Sequence, residues 1–336
     1  MSERVDHLAP AGPNAAHPRV SVVIRSLGRL ASLIELLENV LAQNHDSFEV
    51  VVIEQTPDPD AADWSRIEEL ARDDRLRLLR HPPLGGPAAR NAGVLQARGE
   101  LIILIDDDDL PVGVEWISAH EQAYVDPRLV GLTGRHVHAV GEKYPYLQFM
   151  RPFIRRRCMR YSFIKTAYTY ARFNEDVDGV EWLHGTNSSF RTELLARARL
   201  WDTTVTTQDE HSFAFKLHKV LRPGEYLAFR TAPVIVRRLH IPGGMDKRRV
   251  AMDSELASHL AFVFRIVRTY HPLRFRLAFP LYLLWSVWRT IAWVWGDARP
   301  RTTVKNRTYE SLRALALVVP AAVREYRRSP APSESV

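Results

Sequence analysis

Five consecutive aliphatic residues, Leu101 to Ile105, run directly into four carboxylates, Asp106 to Asp109. The apolar run is long enough for one strand buried on both faces and too short for a helix. If the chain stays extended, Asp106 and Asp108 point to one side and Asp107 and Asp109 to the other. Like charges a few ångströms apart repel by roughly 1 kcal/mol in water and nearer ~4 kcal/mol at a protein surface. Four of them call for a counter-ion, and a hard divalent cation such as Mg2+ or Mn2+ matches carboxylate oxygen. The plainer alternative is that Asp109 caps a following helix with Pro111 in its first turn, which accounts for one carboxylate of the four.

The residues before this stretch alternate between strand and helix. Val20 to Ile24, Glu49 to Ile53, Leu76 to Leu79 and Leu101 to Ile105 read as strands. Leu30, Leu33, Ile34, Leu37 and Leu41 recur at helical spacing, and Ala61 to Arg72 and Pro87 to Ala97 read as two further helices. The pattern is that of an open α/β sheet with right-handed crossovers, which binds ligands beyond the carboxyl ends of its strands. The residues at those ends are Arg25-Ser26-Leu27, Glu54-Gln55-Thr56, Arg80 to Gly86 and the four aspartates. A glycine fingerprint after the first strand and a Walker lysine loop are both missing, which argues against a dinucleotide dehydrogenase or a P-loop enzyme. An Asp-x-Asp after the fourth strand, not the first, argues against a haloacid dehalogenase-type phosphatase.

With 336 residues the chain can bury a sizeable core. Its net charge of +7 suggests an anionic partner. Zinc fingers, RNA-binding aromatic motifs and an obvious recognition helix are missing, so nucleic acid is not expected. The single Cys158 excludes an internal disulfide. Residues 1–18 are polar and rich in proline and alanine and read as a disordered leader.

Val20-Ser21-Val22-Val23-Ile24, the acidic Glu54 ending the second strand, Pro87-Ala88-Ala89-Arg90-Asn91-Ala92-Gly93 and the Asp-x-Asp at Asp106 to Asp108 together resemble family 2 glycosyltransferases in order and spacing. The resemblance runs from Val20 to about Gly244. It implies a GT-A fold: a Rossmann-like, open, mostly parallel sheet with helices on both faces. Residues 19–250 would form the catalytic domain, with a nucleotide-sugar-binding half at 19–110 and an acceptor and catalytic half at 111–250. The implied partners are a nucleotide-sugar donor and, as acceptor, a sugar, a lipid-linked sugar or another hydroxyl. The implied cofactor is Mg2+ or Mn2+, held by Asp106, Asp108 and His240, the last followed by Ile241-Pro242-Gly243-Gly244. Arg25, Glu54, Arg90, Asn91, Asp106 and Asp107 would line the donor site, Asp107 at the ribose. Glu54 stands where the family has aspartate, and Arg25 where it has a small residue or proline. Gly185, Thr186 and Asn187, in a glycine-containing turn leading to a helix near Thr192, would line the donor sugar. In Gln208-Asp209, glutamine replaces the family's glutamate and Asp209 keeps the carboxylate of the catalytic base; a helix cap is its plainer alternative.

A helix over Val114 to Tyr124, a strand near Leu129 to Val137 and a strand over Val234 to Leu239 complete this part, with Gly141 to Gly179 basic, aromatic and unassigned. Residues 251–328 read as a helical region that associates with a membrane, and 329–336 as a disordered tail. Leu277 to Trp295 is apolar but interrupted by Pro280 and Arg289 and dense in tryptophan, which suits the bilayer interface better than a span. A second apolar segment runs from Leu312 to Val323. Packing on the catalytic domain, or on a second subunit in a homo-oligomer, is the alternative. The whole reads as an inverting, metal-dependent glycosyltransferase at the cytoplasmic face of the cell membrane, in cell-surface polysaccharide, glycolipid or secondary glycoside synthesis. Its rivals are a nucleotidyltransferase on a related sheet and a catalytically silent, membrane-associated scaffold.

Overall fold

The computed structural model describes residues 18–138, 159–160, 175–203, 209–237, 256, 260, 262–296 and 304–328. Strands β1 (Val20–Ser26), β2 (Phe48–Glu54), β3 (Leu76–Arg80) and β4 (Leu101–Asp106) alternate with helices α1 (Leu30–Leu41), α2 (Ala61–Leu70) and α3 (Gly86–Gln96). The four strands pair in parallel in the order β3-β2-β1-β4.

Beyond β4 the sheet changes character. β5 (Asp109–Pro111), α4 (Trp116–Gln122), β6 (Leu129–His138), β7 (Val177–Asp178), β8 (Ser188–Arg191), α5 (Thr192–Arg197), α6 (Asp209–Val220) and β9 (Tyr226–Arg237) follow. β8 lies antiparallel beside β4, β6 antiparallel to β8, β9 parallel to β6, and β5 and β7 antiparallel to β9. The expectation of a mostly parallel sheet is therefore corrected: among the described residues the strand pairings divide equally, four parallel and four antiparallel. The parallel half needs the three crossover helices; the second half pairs strands without one between each.

Alternation along each strand divides the core into two layers. Val22, Ile24, Val50, Val52, Ile103 and Ile105 face α1, α2 and α4, whereas Val23, Val51, Ile102 and Leu104 face α3, α5 and α6. Each such fully buried aliphatic side chain contributes about 1.5–3 kcal/mol. Gly93 lets α3 close on the sheet, because a Cβ there would lie 2.4 Å from Val23 Cγ1.

The C-terminal helices α7 (Pro272–Gly296) and α8 (Val304–Arg328) pack on each other and extend the second of these layers through Phe275, Tyr282 and Val318. A π-helical turn, Phe262–Val267, connects them to it. No helix among the described residues is long and apolar enough to cross a membrane.

Candidate active site

Arg25 in β1 and Asp106 in β4 are register partners at the carboxyl end of the parallel sheet. Arg25 Nε donates to Asp106 Oδ1 at 2.9 Å, and the Nη2 to Oδ2 distance is 3.4 Å. Burial opposes the Arg25 charge, but Asp106, with help from Asp209 and Glu210, raises the guanidinium well above its ordinary range. It stays a cation at every working pH.

The chain does not stay extended after β4. A turn at Asp107-Asp108 reverses it into β5, so the expected alternation of side chains ends. Carboxylate oxygens of Asp106, Asp108 and Asp109 come within 4.8 Å of one another, and Asp107 points elsewhere. Asp107 Oδ2 accepts from Ser26 Oγ at 2.8 Å and Oδ1 from Arg29 Nη1 at 3.1 Å. Burial pushes its carboxyl up to about 6, opposed by Arg29 and reinforced by Asp108. Arg29 Nη1 also reaches Asp108 Oδ2 at 2.8 Å. Asp109 is not a helix cap, which corrects the plainer reading of it. It lies in β5, fully buried, and accepts from Thr186 Oγ1 at 2.7 Å, while α4 starts later, after Glu115. The same Thr186 hydroxyl accepts from the Asp106 amide at 3.0 Å, so β4, β5 and the turn before β8 are tied together.

These residues suit a divalent cation. Asp106, Asp108 and Asp109 offer hard oxygen donors around one point, beside the cations Arg25 and Arg29. His240, expected as a third ligand, lies outside the described residues, as do Gln208 and most of the basic-aromatic segment.

A second group of charges stands on α3 and α6. Arg90 is 2% exposed; its Nη1 donates to Asp209 Oδ2, its Nη2 to the Gly185 carbonyl at 3.3 Å, and its guanidinium carbon lies 5.1 Å from the centre of the Trp201 ring. Asp209 opens α6. Burial favours its neutral form, yet Arg90 and Arg25 together hold it below the usual carboxylate range. Next to it, burial and the Asp209 charge push Glu210 up to about 7. Glu210 lines a small cavity with Leu183, His184, Trp201 and Phe213. Gly185 makes room for these groups, because a Cβ there would lie 2.7 Å from Arg90 Nη2 and 3.0 Å from Glu210 Oε1.

Two adjacent carboxylates whose environments drive their pKa values apart, one down and one up, match an acid-base arrangement. Glu210 was not singled out in the sequence, where only its adjacency to Asp209 marks it. Its raised pKa means that ionisation costs stability, a cost absent below pH 4.5 and complete once pH exceeds about 7. Glu210→Gln is therefore expected to raise Tm at pH 8 relative to the unchanged protein, by roughly 1–3 kcal/mol of stability, with little effect at pH 4.5. Thermal melts at the two pH values check this.

Several expected donor ligands make hydrogen bonds within the protein. The Asn91 amide is divided between the Trp201 carbonyl at 2.8 Å and the Trp201 amide at 3.0 Å, which holds the loop beneath Arg90. Asn187 is fully buried at φ 51°; its Oδ1 accepts from Trp116 Nε1 at 2.8 Å and its Nδ2 donates to the carbonyls of Arg135 and Pro233, both at 3.0 Å. Asn91 is matched to backbone on both amide ends, and Asn187 to side chains at Oδ1 and to backbone at Nδ2. Asn187→Ala is expected to cost about 2–3 kcal/mol by orphaning these groups, read as a lower denaturation midpoint with unchanged slope. Glu54, at the end of β2, is different: Oε1 accepts from the Thr56 amide at 2.7 Å, and the buried Oε2 has no hydrogen-bond partner among the described residues, with Arg80 Nε 4.0 Å away.

The profile of glycosyl transferase family 2 matches residues 21–209. An uncharacterized glycosyltransferase of Rickettsia felis is 36% identical over 92 residues, which cover 27% of this chain and 15% of that protein. The chain thus matches only a small part of that relative. Among solved structures, a mannosyltransferase of Pyrobaculum calidifontis, PcManGT, in complex with GDP-Man and Mn2+, superposes with a TM-score of 0.54 at 17% identity, covering 96% of this chain and 92% of that one. S. aureus TarS 1-349 in complex with UDP-GlcNAc superposes with a TM-score of 0.53 at 15% identity, covering 92% and 89%.

Proposed function

The chain belongs to glycosyl transferase family 2, and on that premise we propose that it is an inverting, metal-dependent enzyme that moves a sugar from a nucleoside-diphosphate sugar to an acceptor hydroxyl, with Asp209 as general base. The observation that carries this reading is that Arg25, paired with Asp106 of the Asp106, Asp108 and Asp109 cluster at the β4-β5 turn, also acts electrostatically on Asp209 of α6.

Asp106 and Asp108 would hold Mg2+ or Mn2+, with Asp109 completing the carboxylate set. When bound, such an ion neutralises charge on a diphosphate leaving group. Arg25 adds a fixed positive charge beside it. Glu54 Oε2 offers a free acceptor to a nucleobase N–H, the polar match expected of a site that reads the nucleoside. Asp209 takes the proton of the acceptor hydroxyl while that oxygen bonds to the anomeric carbon and the bond to the diphosphate breaks. Arg90 keeps Asp209 ionised and aimed, so the proton moves late, as the attacking oxygen becomes acidic. One displacement from the opposite face inverts the sugar centre. The donor class is supported by the nucleotide sugars bound to the two superposed proteins.

The double substitution Asp106→Asn with Asp108→Asn tests the metal half. Titration calorimetry with UDP and GDP, each with and without Mn2+, is expected to show metal-dependent affinity in the unchanged protein that falls tenfold or more in the variant. Equal affinity with and without metal in both proteins would overturn the metal assignment.

A further inference from the structure

The two C-terminal helices each carry a second apolar face that nothing among the described residues covers. On α7 the inward side holds Phe275, Ala278 and Tyr282, whereas Leu273, Leu277, Leu281, Leu284 and Trp288 are 47–78% exposed. At 3.6 residues per turn those five fall within an arc of roughly 80°. On α8 the inward side holds Ala314, Val318 and Ala322, and Tyr309, Leu312, Leu315, Val319, Val323 and Tyr326 are 45–62% exposed. They fall within roughly 120°, and the stripes lie roughly 120–135° around their helices from the side that enters the core. Scattered exposed leucines are ordinary; two continuous stripes on adjoining helices mark a docking surface.

Charge identifies what docks. The two helices hold nine arginine or lysine residues against two glutamates, and α7 has no acidic residue at all. One of the two glutamates, Glu325, is buried. By the same helical spacing, Arg274 and Arg276 fall on either side of the α7 stripe, and Arg313, Arg324 and Arg327 along one edge of the α8 stripe. A second copy of the chain docking face to face would bring these arginines against their equivalents, which disfavours it. A bilayer with anionic headgroups supplies both an apolar layer for the stripes and negative charge for their rims.

We propose that α7 and α8 lie in the plane of an anionic lipid surface, with the leucine, valine and aromatic stripes in the headgroup-acyl boundary and the flanking arginines at the phosphates. Neither helix crosses: none of the described helices has the length and apolarity, and Pro280 and Pro320 interrupt their interiors. Trp288 and Tyr309 suit the boundary, with an apolar body and a polar edge. The proposal is independent of the transfer reaction.

The test is co-sedimentation of the full chain with vesicles of phosphatidylcholine alone or with phosphatidylglycerol, at low and high salt, alongside size-exclusion chromatography without lipid. The expected result is binding at least tenfold stronger to the phosphatidylglycerol vesicles, weakened by salt. The triple substitution Leu277→Glu, Leu284→Glu and Val319→Glu should weaken it tenfold or more with an unchanged circular dichroism spectrum, and Arg276→Glu with Arg327→Glu should remove the phosphatidylglycerol preference. Failure of the unchanged protein to sediment with anionic vesicles would overturn the proposal. So would binding that the triple substitution leaves intact, or a lipid-free dimer that this substitution dissociates, which would assign the face to a second copy.

Discussion

Asp209→Asn is expected to lower kcat for sugar transfer by roughly two to four orders of magnitude, the usual contribution of a positioned general base, while nucleoside diphosphate still binds with metal. The reason lies in the separation of the two carboxylate groups. The Asp106 cluster belongs to the ends of β4 and β5 and is braced by Arg25, Arg29 and Thr186, none of which depends on Asp209 for its hydrogen bonds. Asparagine keeps the shape of aspartate and can still accept from Arg90, but its amide cannot take a proton from a hydroxyl. The substitution also leaves Arg90 less well compensated, so turnover must be compared well below the melting temperature of the variant. Near-normal kcat with that control in place would remove Asp209 from the mechanism.

Arg90→Met is expected to be the most damaging substitution for stability among those considered, at about 3–5 kcal/mol, because it strands buried negative charge. Arg90 is itself 2% exposed and joins Asp209 to the Gly185 carbonyl and the Trp201 ring. Methionine fills much of the volume and can rest on the tryptophan, so the loss is chiefly electrostatic. The sign with pH follows from Asp209. Its carboxyl is held below the ordinary value of 3.8, so the stabilisation it contributes is present above that pH and lost as pH falls through the depressed native value. The difference between the unchanged protein and Arg90→Met should therefore be largest near neutrality and shrink in acid. Urea denaturation at pH 7 and pH 3.5 measures it; an equal difference at both would mean that packing, not charge, is what Arg90 supplies.

Much of the parallel half was legible because its strands are short runs of aliphatic residues bounded by helices with regular apolar spacing. Leu101 to Ile105 lies between β1 and β8 with every residue buried, as an unbroken apolar run should. The second half was less legible. β5 and β8 are three and four residues long and carry no run that periodicity can detect. Their effect on the site is large, since β5 draws Asp109 into the carboxylate cluster and the turn before β8 provides Thr186.

Residue type alone does not show which partners a side chain has within the fold. Asn91 and Asn187 look like ligands because amides bind nucleotides and sugars, but an amide equally well joins two pieces of backbone, and only the fold shows which pieces are near. Arg90 reads in the sequence as a donor-site residue; its partner Asp209 stands more than a hundred positions along the chain. Glu210 drew no notice because a carboxylate on a polar helix start is ordinary until burial and Asp209 move its pKa toward neutrality.

The most direct measurement is the product released when the purified protein meets a panel of nucleotide sugars and nucleoside triphosphates with candidate acceptors, with Mn2+ or Mg2+ and with EDTA. The expected result is metal-dependent, acceptor-dependent release of a nucleoside diphosphate from one or a few nucleotide sugars, with the transferred sugar inverted at its anomeric carbon. Release of pyrophosphate from a nucleoside triphosphate would make it a nucleotidyltransferase, and metal-dependent binding of nucleoside diphosphate with no release from any donor would make it a silent scaffold; either would rule out sugar transfer as its reaction.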